Sequence, residues 1–242
     1  MIELINISFK YDNKEILKNI NLKIEKGERV VLLGINGSGK STLLKIIDGL
    51  LFVNSGKYLY KGVEINERNL KNKDFVKRFR KEVALLFQNP DSMLFNPTVY
   101  DEIAFGLRQL GLPDVENKVK YWADKLNIYK YLDTPPFNLS GGEKQKVCLA
   151  SLLVLEPEVL LLDEPMANLD PYTTGWLIDM LSELNITTIT TTHNLPLSVE
   201  LGDRAVVLAK DEGILYDGNL KDFLKDTKKL ERAKLVYIPR KR

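Results

Sequence analysis

Several runs in this chain are apolar without a break: Val30-Val31-Leu32-Leu33, Val83-Ala84-Leu85-Leu86-Phe87, Val159-Leu160-Leu161-Leu162 and Ala205-Val206-Val207-Leu208. Runs this short and this continuous predict strands buried on both faces, as in a parallel sheet. The β-rich stretch from Thr187 to Thr192 predicts another strand. Near the N-terminus the pattern alternates instead. Ile5, Ile7, Phe9 and Tyr11 alternate with Asn6, Ser8 and Lys10, and Leu22 and Ile24 with Lys23 and Glu25. That period predicts antiparallel strands over residues 1 to about 27, turning at Asp12-Asn13-Lys14 and leaving through Lys26-Gly27-Glu28. Ser55-Gly56-Lys57 and Lys61-Gly62 bracket a short strand, Tyr58-Leu59-Tyr60.

After Gln88 the period changes. Pro97 opens a predicted helix that places Val99, Ile103, Leu107 and Leu110 on one face. Asp101 and Glu102 fall in its first turn, where negative charge is favoured, and Gly111 ends it. A second helix is predicted from Val115 to Leu126. Residues 89 to about 155 therefore form a helical insertion, and the α/β pattern resumes at Val159. The last forty residues read as a hairpin around Asp211-Glu212-Gly213 and a short charged helix.

The chemistry is concentrated where apolar strands end. Gly34-Ile35-Asn36-Gly37-Ser38-Gly39-Lys40-Ser41-Thr42 lies between the strand at Val30–Leu33 and a helical pattern beginning Leu43-Leu44-Lys45. Strand, Gly-rich loop and helix is the context of a phosphate-binding loop. Its glycines let successive N–H groups converge, and the following helix aims its partly positive end at the same point. Asn36, Gly37, Ser38, Gly39, Lys40, Ser41 and Thr42 are the candidate nucleotide contacts. Lys40 supplies positive charge for the β- and γ-phosphates, and the Ser41 hydroxyl is a candidate Mg²⁺ ligand. The strand at Val159–Leu162 ends in Asp163-Glu164-Pro165. Asp163 would hold Mg²⁺, and Glu164 would poise a water for in-line attack; without a phosphate loop they would be solvated strand-end acids. In Leu139-Ser140-Gly141-Gly142-Glu143, Ser140 and Glu143 spell a capping box. That box explains a helix start but not two glycines in its first turn, each unfavourable by about 1 kcal/mol relative to alanine in a helix interior. Close approach of an anion to the backbone would explain them.

Composition narrows the setting. The 242 residues are enough for one large domain or a domain plus a subdomain, and 44% hydrophobic and 28% charged positions suit a globular protein. Thirty-five basic and 33 acidic residues leave a net charge of +2, no electrostatic footprint for nucleic acid. The basic end, Pro239-Arg240-Lys241-Arg242, reads as a solvated tail. Cys148 is the only cysteine, so internal disulfides and a cysteine-based zinc cluster are excluded, and its helical, apolar setting predicts a buried thiol. No apolar run approaches the roughly eighteen residues of a membrane span, and Met1-Ile2-Glu3-Leu4 lacks the basic start of a signal peptide.

The order of phosphate loop, Gln88, Leu-Ser-Gly-Gly-Glu at 139–143, apolar-Asp-Glu-Pro at 159–165, Asp170 and His193 resembles the ATP-binding-cassette (ABC) ATPases over nearly the whole chain. The resemblance implies an α/β fold of the P-loop NTPase (RecA-like) type, with a parallel sheet core, an N-terminal antiparallel β subdomain and an inserted α-helical subdomain. The chain would be one domain: residues 1–88 and 156–242 as nucleotide-binding core, and residues 89–155 as the helical part. It implies that Tyr11 stacks on adenine, although its phase with Ile5, Ile7 and Phe9 suits a core position too. It implies that Gln88 reaches Mg²⁺ and the attacking water, where the residues alone read as a strand-end amide. Ser140, Gly141 and Gly142 would meet the γ-phosphate of ATP held by an opposite subunit. Asp170, which with Pro171 also reads as a helix N-cap, would match the family's loop after the Mg²⁺ strand as a nucleotide-binding position. His193, the only histidine, would sense the γ-phosphate rather than serve a structural role. Two positions depart from the commonest pattern: Glu143 stands in place of glutamine and Asn194 in place of aspartate.

The stretch from Phe87 to Gly106 is similar to that of the cobalt/nickel and energy-coupling-factor (vitamin) importers, where this region docks a helix of the membrane subunit. Met93, Leu94 and Phe95 either form that docking groove or plug the insertion onto its own core. The resemblance thus implies an ATP-binding and ATP-hydrolysing importer subunit using ATP and Mg²⁺, peripheral at the cytoplasmic face of the cell membrane. Its partners would be an integral membrane subunit and a second cassette, identical or different. The alternatives are a soluble non-transport ABC ATPase, such as an iron–sulfur assembly ATPase, and a non-hydrolysing nucleotide-dependent assembly module.

Overall fold

The structure is a computed structural model describing residues 1–237 apart from 168 and 211. Asp211, in the anticipated hairpin, and the basic end at 239–242 lie outside the described residues. The chain begins with β1 (Ile2–Tyr11), β2 (Lys14–Ile24), β3 (Arg29–Leu33), α1 (Lys40–Ile47), β4 (Ser55–Tyr60) and β5 (Val63–Glu64). It continues through α2 (Lys73–Glu82), β6 (Val83–Leu86), α3 (Val99–Leu110), α4 (Val115–Lys125), α5 (Gly141–Leu153) and β7 (Val159–Leu162). Then come α6 (Pro171–Glu183), β8 (Thr187–Thr191), α7 (Leu195–Leu201), β9 (Arg204–Ala209), β10 (Gly213–Asn219), α8 (Leu220–Lys225) and α9 (Thr227–Arg232).

Two sheets result. An antiparallel sheet has the order β2-β1-β4-β5, and a six-stranded sheet the order β10-β9-β3-β8-β7-β6. In the second, β9, β3, β8, β7 and β6 run parallel, and β10 joins the edge antiparallel. The unbroken apolar runs have a simple cause. Val30 and Leu32 of β3 face a core shared with the antiparallel sheet, while Val31 and Leu33 face a core shared with the helices. β6 and β7 divide in the same way, Leu85 and Leu161 to one side and Leu86 and Leu162 to the other. Each strand is buried twice, so every position is apolar.

The inserted helices do not keep a core of their own. Val99, Ile103 and Leu107 of α3, Val119 of α4 and Val147 of α5 belong to one cluster with Leu86, Leu160 and Leu162 of the sheet. Cys148 is buried in it, and burial pushes its thiol up to about 12, as an inert packing group. Helix α3 starts at Val99 rather than at Pro97; Thr98 caps it by accepting from the Asp101 N–H at 3.1 Å. Gly111 ends it in the left-handed conformation, as anticipated.

β1 departs from simple alternation. Its register with β2 shifts between Leu4 and Ile7, and again on either side of Phe9. Asn6 has φ 48°, and its N–H donates to the Asn21 side chain at 2.9 Å instead of to the ladder. The bulge moves one residue out of phase. Ile2, Leu4, Ile7 and Phe9 are buried, whereas Ile5 and Tyr11 are exposed. Tyr11 is therefore no core residue, and its ring packs edge-on against Phe9 at 4.9 Å. Two helices closing the chain, α8 and α9, replace the single one anticipated.

Candidate active site

Parallel pairing brings the strand ends together. Leu32 of β3 pairs with Thr191, Leu162 of β7 pairs with Thr190, and Leu86 of β6 pairs with Leu162. The loops after β3, β6, β7 and β8 therefore leave one edge of one sheet, where open α/β sheets bind ligands. There a cleft of about 430 Å³ is lined by Asn36, Gly37, Gly39, Lys40, Ser41 and Thr42 from the loop after β3. Gln88, Glu164 and His193 line it from the other three loops, and Lys14 and Ile16 from β2. Ser38 is placed differently: its side chain is buried, and a Cβ built on Gly34 would lie 2.5 Å from its hydroxyl.

Helix α1 opens without a cap. Gly39 precedes it at φ 99°, no side chain accepts from its first N–H groups, and no acid lies in its first turn. The left-handed φ at Gly39 favours glycine, and a Cβ there would also press on Leu17 Cδ2 at 2.6 Å and the Ile16 carbonyl at 3.2 Å. The bare N–H groups carry the partial positive charge of the helix end. The Lys40 Nζ donates to the Gly34 carbonyl at 2.8 Å and the Ile35 carbonyl at 3.3 Å. Burial holds the Lys40 ammonium below the usual lysine range, and the carboxylates of Glu164 and Asp163 oppose that shift. A cation taken out of water beside uncapped N–H groups is an environment that favours an anion.

Across the cleft, Asp163 and Glu164 follow β7. Asp163 is buried, and its Oδ1 accepts from the Thr191 hydroxyl at 2.9 Å. Glu164 stands at φ 48°, its N–H donates to the same Thr191 oxygen at 2.7 Å, and its Oε2 lies 2.8 Å from the His193 Nδ1. The His193 side chain is 65% exposed and lines the cleft. Thr191 was not singled out from the sequence, where five threonines between 187 and 192 read only as strand formers. Ser41 and Gln88 also line an adjoining cleft of about 580 Å³, to which Asp163 and Tyr11 contribute. A hydroxyl, an amide and a carboxylate form an all-oxygen donor set. It fits a hard cation that takes one protein carboxylate and completes its shell with phosphate and water. Among the described residues no group of three or more His, Cys, Asp or Glu could form a fuller protein cage.

Ser140, Gly141, Gly142 and Asp170 lie elsewhere. They line a separate pocket of about 340 Å³ with Lys146 and Thr173, sharing no lining residue with the phosphate-loop cleft. The capping box is present: Ser140 accepts from the Glu143 N–H, and the Glu143 carboxylate accepts from the Ser140 N–H at 2.8 Å and hydroxyl at 2.6 Å. A Cβ at Gly141 would meet nothing within 4 Å, and one at Gly142 only Thr173 at 3.4 Å. The chain's own packing does not require glycine at Gly141. Asp170 caps α6, accepting from the N–H groups of Tyr172 and Thr173 at 2.9 and 3.0 Å. The buried Gln145 amide donates to the Pro165 carbonyl at 3.1 Å and so ties α5 to the loop after Glu164.

A parallel sheet with an anion cleft at its carboxyl edge, an uncapped helix and two strand-end acids defines a P-loop nucleoside triphosphatase. The sequence pattern of the ABC transporter family matches residues 17–167, and the chain belongs to that family. It is 42% identical over 241 residues to a putative ABC transporter ATP-binding protein of Clostridium acetobutylicum, covering 98% of this chain and 100% of that protein. It is 38% identical over 246 residues to the energy-coupling factor transporter ATP-binding protein EcfA of Methanothermobacter thermautotrophicus, covering 99% of this chain and 77% of that protein. Its fold matches cbiO1 of Clostridium perfringens, part of the ABC transporter complex cbiONQ. The TM-score is 0.80, with 31% identity and coverage of 97% and 94% of the two chains. A dimeric ATP-binding cassette in a post-hydrolysis state bound to ADP and Pi matches with TM-score 0.80 and 26% identity, covering 91% of this chain and 99% of that one. The chain is thus an ATP-hydrolysing ABC transport ATPase, the cassette subunit of a transporter. No helix among the described residues is long and apolar enough to cross a membrane.

Proposed function

We propose that this cassette powers an importer of the cobalt/nickel or energy-coupling-factor vitamin type, bound peripherally at the cytoplasmic face of the membrane through a separate integral subunit. The contact between Glu164 and His193 at the mouth of the uncapped-helix cleft carries the reading of the chemistry. Asn36 through Thr42 cradle the triphosphate, Lys40 exchanging the carbonyls of its own loop for β- and γ-phosphate oxygens. The exposed face of Tyr11 stacks on adenine, which its outward turn supports. Ser41, Gln88 and Asp163 would hold Mg²⁺, which when bound neutralises charge on the β- and γ-phosphates. Glu164 orients a water whose oxygen bonds to the γ-phosphorus as the bond to the ADP oxygen breaks. The leaving electron pair stays with ADP, and the water's proton passes by way of Glu164 to solvent. His193 holds the Glu164 carboxylate through Nδ1 and senses the γ-phosphate from its other nitrogen.

Two cassettes clamp two ATP molecules head to tail, each site completed by Ser140, Gly141 and Gly142 of the other copy. The separation of the signature pocket from the phosphate cleft supports this reading, as does the open space at Gly141. ATP favours the closed pair because it binds that state better, and hydrolysis removes the γ-phosphate that bridges it. Docking uses the loop before α3. Met93 and Leu94 pack partly into the chain's own core, whereas Phe95 is 67% exposed and stands edge-on to Phe105 at 4.9 Å. Glu102, itself buried, holds that loop by accepting from the N–H groups of Phe95 and Asn96 at 2.9 and 2.8 Å. Affinity purification from detergent-solubilised membranes tests the assignment. Integral membrane proteins co-purifying with the chain, and lost in Phe95→Asp, support it; a soluble assembly partner instead would overturn it.

A further inference from the structure

The two acids of the site share one neighbour. Thr191 is wholly buried at the end of β8, and its single hydroxyl meets the carboxylate of one and the backbone N–H of the other. It donates to Asp163 Oδ1 at 2.9 Å and accepts the Glu164 N–H at 2.7 Å. The second contact has a particular consequence. Glu164 occupies the left-handed region, which a side chain of this size rarely adopts and which persists only where surrounding bonds impose it. The Glu164 carbonyl is held as well, accepting the Ala167 N–H at 2.9 Å. The peptide joining Asp163 to Glu164 is therefore anchored from β8 through one oxygen atom.

We propose that the Thr191 hydroxyl is a positioning group for ATP hydrolysis, setting the direction of Glu164 and the free oxygen of Asp163 together. The proposal rests on the roles assigned above to those two acids. Neighbouring threonines do not share the arrangement: in β8 the Thr187 hydroxyl accepts the Gly27 N–H at 2.9 Å and the Thr188 hydroxyl is buried with no partner, and just past the strand the Thr192 hydroxyl accepts the Asn194 N–H at 3.0 Å. Valine matches threonine in shape and lacks only the hydroxyl's bonds, so it separates packing from positioning. Thr188 supplies an internal comparison, because the same replacement there removes a hydroxyl that bonds nothing.

The experiment uses the full chain with Thr191→Val, Thr191→Ser and Thr188→Val. Partners that orient metal-binding carboxylates contribute on the order of 10- to 100-fold. Thr191→Val should lower kcat by about that factor with KM for ATP within about twofold, since the phosphate loop is untouched. It should also weaken Mn²⁺ binding in the presence of a non-hydrolysable ATP analogue, read by electron paramagnetic resonance, by about tenfold. Thr191→Ser should restore both, and Thr188→Val should change neither. Should Thr191→Val not fold, Thr191→Ala against Thr191→Ser asks the same question. Unchanged kcat and Mn²⁺ affinity in Thr191→Val, while Asp163→Asn and Glu164→Gln abolish turnover, would overturn the proposal and leave the acids' roles intact. Full turnover in Glu164→Gln would remove the reading on which it rests, and the proposal with it.

Discussion

Helices α1 and α5 both begin in glycine-rich turns, and their first N–H groups meet opposite fates. α5 is closed by its own residues, with Ser140 and Glu143 bonded reciprocally. Those bonds, the Ser140 hydroxyl first, hold the Glu143 carboxyl below the usual carboxylate range. α1 has no cap at all, and the nearest cation, Lys40, is turned onto the carbonyls of the loop before it. A helix end that a chain leaves unsatisfied is completed by a ligand; one that the chain satisfies itself is folded before any ligand arrives. The nucleotide affinity of this cassette should therefore reside in α1. The signature end of α5 should matter only when a second copy is pressed against it.

Breaking α1's side of that contrast gives the largest effect. Lys40→Ala should weaken ATP binding by about 3 kcal/mol, on the order of 100-fold, in a titration with a fluorescent ATP analogue. Glu164→Gln should leave binding intact and lower turnover by roughly 10²- to 10⁴-fold. It should run as a dimer with ATP in size-exclusion chromatography with light scattering; a monomer there contradicts the sandwich. Ser140→Ala sharpens the comparison. It should cost about 1 kcal/mol of stability from the lost cap and keep monomer affinity for ATP, yet abolish ATP-driven pairing. A fall in monomer affinity equal to that of Lys40→Ala would erase the distinction between the two helix ends.

The last prediction concerns the other end of α1 and touches stability alone. Asp48 is the C-cap there, an unfavourable place for an anion, and burial pushes its carboxyl up to about 7 despite Arg80 at 3.2 Å. A folded-state value above the unfolded one means its contribution is fully present below about pH 4 and is lost as pH rises through about 7. Wild-type Tm should therefore decline across that window by a component that Asp48→Asn removes, as thermal melts from about pH 4 to 8 would read, levelling off above about 7.

The two helix starts also differ in how well they can be read from residues. The loop at 34–42 is legible because its strand, glycines, Lys40 and helix are contiguous, and contiguous residues report their own geometry. Asp163 and Glu164 are legible because an apolar run that stops at acids marks the carboxyl end of a buried strand. Thr191 is hidden, since a threonine in a β-rich run looks the same whether its hydroxyl bonds two acids or, as at Thr188, nothing. Ile5 is hidden for a related reason: alternation assumes an unbroken ladder, and the bulge at Asn6, made by pairing with Asn21 on another strand, turns Ile5 outward.

By itself the sequence determined the local chemistry of this protein: which strands are buried on two faces, where a phosphate loop opens a helix, which acids end a strand, and which serine caps α5. Each of these depends on residues a few positions apart. Tertiary structure alone decided what meets what: that His193 stands against Glu164, that Thr191 holds both acids, and that the signature pocket lies apart from the cleft. Those relations join residues 27 or more positions apart, and they follow from the strand order β3-β8-β7-β6, which no local pattern encodes.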